Sequence, residues 1–143
     1  MGETVRASIR ALLESTLETV ESLLALPDEE LQQPSSHVCA QGKDLWALLT
    51  NDIDHETIHA GQILEARYEA GITASPRERL AAEWLAARAK LIATFIGMSD
   101  AEFEQEMRPG GWTYRQAASH VRKLERHSLQ IMRDDIAARG VEI

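Results

Sequence analysis

Apolar residues recur at helical spacing in four stretches of the chain. Over residues 3–26 they are Val5, Ile9, Leu12, Leu13, Leu17, Val20, Leu23 and Leu24, and Pro27 stops the run. The second stretch starts near Asp44 and ends near Ala70, with Gly71 as its stop. The third is opened by Ser75-Pro76-Arg77-Glu78, a capping box with Pro at the first helical position. It carries Leu80, Trp84, Leu91, Ile92 and Phe95 as far as Gly97. The fourth is opened by Thr113 with Gln116 and closed by Gly140. Residues 27–43 and 98–112 are long connections. Each has room for one helical turn, at Asp28-Glu29-Glu30-Leu31 and between Ser99 and Glu102. No segment shows sustained strand alternation. The pattern predicts an all-α four-helix bundle, with its long connections between helices 1 and 2 and between helices 3 and 4. Such a connection can cross the bundle or decorate one end of an antiparallel pair, and the pattern leaves both open.

There is also a faint repeat. Leu26-Pro27-Asp28-Glu29-Glu30-Leu31 resembles Met98-Ser99-Asp100-Ala101-Glu102-Phe103, and His-x-x-Gln-Ile follows in each half, at His59–Ile63 and His127–Ile131. Two related helical hairpins about a pseudo-twofold would explain it, as would chance similarity between helix-rich segments.

Composition narrows the class. A chain of 143 residues, 44% hydrophobic and 27% charged, predicts one soluble domain over residues 1–143. Fifteen Lys and Arg against 23 Asp and Glu give a net charge of -8, which argues against nucleic acid and anionic membranes as partners. No apolar run approaches the ~18 residues of a membrane span. The opening MGETVRASIR lacks the apolar core of a secretory signal. Arg6 stands where a myristoylation signal has Ser or Thr. The single cysteine, Cys39, permits no internal disulfide and suits a reducing, cytoplasmic setting.

The chemistry lies in the histidines. The apolar stripe of the second helix runs Leu45, Leu48, Leu49, Asp52, His55, His59, Ile63, Ala66, so its middle is polar. His55 and His59 are four residues apart and share one face. The fourth helix places His120 and His127 on the stripe Ala117, His120, Val121, Leu124, His127, Ile131. A bundle core could join the first pair with one histidine of the fourth helix into a three-imidazole centre with an open coordination position. Such donors suit zinc, nickel, copper or iron. Asp52 or Glu56 could orient a ligand. The bland alternative is four part-buried histidines satisfied by carboxylates or backbone. His55-Glu56-Thr57-Ile58-His59 also fits HExxH, in which both histidines bind zinc and the Glu is general base. The extended form fails, since Glu65 stands six residues after His59, and no sheet edge is expected to hold a peptide.

Two motifs together resemble the DinB-like superfamily of metal-dependent enzymes. One is Pro109-Gly110-Gly111-Trp112-Thr113 through His120-Val121, in which a Trp-Thr pair opens a helix and a histidine follows two turns later. The other is His55-x-x-x-His59 followed by Gln62-Ile63. The resemblance implies a four-helix bundle whose divalent metal, zinc or nickel, is held by His55, His59 and His120. It further implies thiol-dependent S-transfer or a related group transfer, with a low-molecular-weight thiol and a small-molecule substrate as partners. The order differs from many members, which carry the Trp-to-His motif on helix 2 and the His pair on helix 4. His127 could replace one ligand or add a fourth.

Glu56 lies about 100° around the helix from His55 and is the candidate for proton transfer rather than ligation. Arg88, on the stripe of the third helix, could pair with Asp52, grip an anion, or simply lie along the surface. Cys39, two residues after His37, reads as an incidental loop thiol or one near the site mouth. Long apolar stripes on a small bundle predict a homodimer. Against the enzyme stand a non-catalytic metal-binding or structural stress-response bundle and, more remotely, an HExxH hydrolase.

Overall fold

The computed structural model describes residues 2–140, which form helices joined by turns. The described residues contain no β-strand. The only pairings of that kind are isolated bridges between Pro34 and Asp44 and between Glu106 and Thr113. The chain divides into two compact units, one ending at residue 81 and one starting at residue 82.

In the first unit α1 spans Glu3–Leu24 and α2 spans Leu45–Glu69. Two 3-10 turns, Asp28–Gln32 and Val38–Ala40, lie between them, and α2 is in contact with both. The Asp44 side chain caps α2 by accepting from the Ala47 N–H at 2.8 Å. Leu45 N donates to Gln33 O at 3.0 Å, and Ser35 N to Lys43 O at 2.9 Å, tying the connection to the start of the helix. Gln41 (φ 54°) and Gly42 (φ 76°) turn the chain there through left-handed conformations. At the far end of α2, Gly71 N donates to Tyr68 O and Ile72 N to Arg67 O. With Gly71 at φ 67°, this is a Schellman stop.

α3 spans Pro76–Ala93 and stops four residues short of the expected Gly97. Thr94, Phe95 and Ile96 donate through their N–H groups to Leu91, Ile92 and Ala93, three residues back, and the Thr94 hydroxyl also donates to Leu91 O. β-Branched and aromatic residues lose side-chain freedom in a helix, and here the final turn tightens to the 3-10 pattern. α4 is the short turn Asp100–Phe103, and α5 spans Tyr114–Ala138. Phe103 packs edge-on against Phe95 with centroids 5.4 Å apart, and the Arg115 guanidinium lies 5.2 Å over its ring. Arg115 also pairs with Glu104. The chain enters α5 as it enters α2: Tyr114 N donates to Gln105 O, and the cap residue Thr113 bridges to Glu106.

Measured from the two caps, the matched histidines are out of step. His59 stands fifteen residues after Asp44 and His127 fourteen after Thr113. One residue is about 100° of helix rotation, so the two occupy different faces relative to their entries.

Burial departs from the expected core. Ala40, at 1% exposure, is the one buried residue described. Large apolar side chains such as Leu12, Leu17, Ile63, Leu85 and Leu124 are exposed. Periodicity was a guide to which residues share a face, and these faces have no cover within their units. None of the described helices is long and apolar enough to cross a membrane.

Candidate functional site

His55 and His59 sit in the middle of α2, beyond the first turns that rest on the 3-10 segments. Their rings stack with centroids 4.5 Å apart and planes inclined by 29°. Helical spacing alone sets this arrangement, since residues i and i+4 stand one above the other. His59 Nδ1 lies 2.9 Å from Gln62 Oε1. This contact ties the His59 ring to a residue one turn away on the same helix, the kind of partner that orients a metal-binding imidazole. Gln62 was legible in the sequence only as part of the Gln-Ile pair, without a role.

His120 belongs to the second unit. It lies two turns into α5, where its ring meets Trp112 at 4.6 Å between centroids and a 57° inclination. The Thr113 capping box holds the entry to α5: Gln116 N donates to Thr113 Oγ1 at 3.1 Å, and Thr113 N to Gln116 Oε1 at 2.9 Å. His127 is further along the same helix. All four helical histidines and Glu56 are exposed. They are therefore not the buried core residues that the apolar stripes suggested, and burial is not what demands a partner for them. Among the described residues no group of three His, Cys, Asp or Glu comes together as a metal-binding cluster. His55 and His59 are the two candidate ligands the structure brings together.

The remaining candidates have defined places. Arg88 of α3 donates to Glu125 of α5 at 2.8 Å, so its partner within the second unit is Glu125. His37 caps the Val38–Ala40 turn, its Nδ1 accepting from the Cys39 N–H at 3.3 Å, which gives it a local structural task. Cys39 is a free, exposed thiol. Comparisons with family models, curated proteins and solved structures find no match.

Proposed function

We propose that this chain is a metal-dependent enzyme of the DinB-like type, catalysing thiol-dependent S-transfer or a related group transfer. The observation that supports it most is the His55–His59 stack, with Gln62 Oε1 2.9 Å from His59 Nδ1. The donor chemistry fits a divalent transition metal, zinc or nickel: two imidazoles on one helical face. His120 is the third donor on the resemblance of the Trp112-to-His120 segment. When bound, such an ion supplies Lewis acidity and favours the thiolate form of a thiol cosubstrate. Glu56, next to the pair but about 100° around the helix, takes up and returns the proton displaced from the thiol or small-molecule substrate. Gln62 holds His59 in place, and Trp112 limits the rotation of His120.

The larger assembly belongs to the same proposal: a four-helix bundle of two hairpins, paired as a homodimer through apolar helical faces. The exposed apolar side chains along α1 and α5 support association, and light scattering that finds a monomer across micromolar concentrations rejects the dimer.

Elemental analysis of untagged protein tests the centre. Roughly one zinc or nickel ion per chain is expected. His55→Ala, His59→Ala and His120→Ala lose it, whereas His37→Ala and Glu56→Gln keep it. A wild-type protein that takes up neither metal on equilibration overturns the proposal. A screen of low-molecular-weight thiols with electrophilic substrates then tests the reaction, with Glu56→Gln expected to fail in turnover while holding metal.

A further inference from the structure

A cavity of about 270 Å³ opens where the turn before α2 faces the first half of that helix. It lies wholly within the first unit. Its wall includes Ala40, the one buried residue described. Lys43 lines it from the turn and Asp54 from the helix. The Lys43 backbone is held on both sides, its N–H donating to Ala40 O at 2.9 Å and its carbonyl accepting from Ser35 N at 2.9 Å. The ion pairs among the described residues are Arg88–Glu125 and Arg115–Glu104, so Lys43 and Asp54 line one cavity without forming an ion pair. Trp46 adds an indole surface, and Asn51 a half-buried carboxamide one turn before His55.

We propose that this cavity binds a small zwitterion of amino-acid type, its carboxylate toward Lys43, its ammonium toward Asp54 and its carbon frame along Trp46. A simple anion would meet the Asp54 carboxylate and a simple cation the Lys43 ammonium, so each gains from one wall and loses at the other. A ligand with both charges a few bonds apart satisfies both groups at once. The site is open to solvent on one side and of a size for a small molecule, and Trp46 offers an apolar body a surface to lie along. The proposal stands apart from the metal centre, because it uses none of the three histidines.

Cys39 lines the same cavity and is the chain's one cysteine, so its alkylation reports occupancy at a single position. The experiment measures the rate of iodoacetamide labelling of the full chain by intact mass, with norvaline, butyrate or butylamine added. These probes share a short aliphatic tail and carry both charges, the negative one or the positive one. Norvaline is expected to slow labelling, and each singly charged probe to need about tenfold more for the same effect. Lys43→Met and Asp54→Asn should each remove the advantage of norvaline with unchanged circular dichroism, and the Asn51 side-chain amide signals should shift with norvaline in wild type alone. His55→Ala should lose the metal and keep norvaline protection, separating this proposal from the metal reading. Equal effects of the three probes, no effect of norvaline on either labelling or the Asn51 signals, or full norvaline protection in both charge variants overturns it.

Discussion

Trp112 and His120 stand eight residues apart and meet ring to ring, with centroids 4.6 Å apart. The indole belongs to the residue just before the Thr113 cap, and it reaches along α5 to a side chain two turns inside the helix. This contact gives the Trp-Thr…His spacing a physical meaning, because a shift of one residue would turn His120 about 100° away from the indole. In a chain carrying Trp46→Phe and Trp84→Phe, Trp112 emission should therefore report the contact. His120→Ala, which removes the ring beside the indole, should shift that emission, while His127→Ala, further along the same helix, should leave it unchanged; equal spectra for the two variants would show that the rings do not meet in solution.

The Gln62 contact leads to a prediction about metal affinity rather than fold. Gln62 is exposed, so Gln62→Ala should leave stability nearly unchanged. It removes the side-chain oxygen that lies 2.9 Å from His59 Nδ1. Loss of such an orienting partner lowers metal affinity about 10- to 100-fold. Competition with a chromophoric chelator measures it, and an affinity equal to wild type would mean that the contact does not tune the ligand.

Helix ends were legible because their chemistry is local. Ser75 with Glu78, Thr113 with Gln116, and the left-handed Gly71 and Gly140 all sit where sequence alone puts them. The one-turn segments in both long connections were legible for the same reason, from Asp28 onward and from the Ser99 cap. The Val38–Ala40 turn was not, since its reversal depends on Gln41 adopting φ 54°, a conformation few residues advertise. Nor did periodicity reveal the end of α3, where helical spacing continues to Phe95 after the hydrogen bonds have changed type. Burial was the least legible property. The i, i+4 relation brought His55 and His59 together as expected, but it carries no information on what lies opposite them. The cavity between Lys43 and Asp54 was missed because it joins a turn to a helix face, and no periodic pattern spans the two.

Arg88 and Glu125 make the one half-buried ion pair described, with side chains 28% and 32% exposed. Solvent still reaches both, so the coupling should be small, about 0.5–1 kcal/mol in a double-mutant cycle of Arg88→Met and Glu125→Gln. It should shrink as salt rises. A coupling that is several times larger, or insensitive to salt, would mean that the pair is desolvated in solution.

The three capping boxes differ in one atom type, and pH should separate them. The Ser75 N–H and then the Ser75 hydroxyl hold the Glu78 carboxyl below the usual carboxylate range, and the corresponding groups of Ser99 do the same for Glu102. The distances agree: Ser75 N and Ser99 N each lie 2.7 Å from the facing Glu Oε2. In α5 the same place is taken by Gln116, which has no proton to gain. A carboxyl whose folded pKa lies below its unfolded value stabilises the fold at and above the unfolded value, near pH ~4.3 for Glu. That contribution is lost as pH falls through the lowered folded value. Both glutamates are fully exposed, so the effect is local unwinding at the starts of α3 and α4 rather than global unfolding. Amide proton shifts of Ser75 and Ser99 should move together over this acid window while that of Thr113 stays constant. Glu78→Gln and Glu102→Gln keep the geometry of the box and remove the titration, so each should flatten its own Ser signal and leave the other moving. A Thr113 signal that titrates with the two serines would show instead that the helices unwind through a shared acid transition.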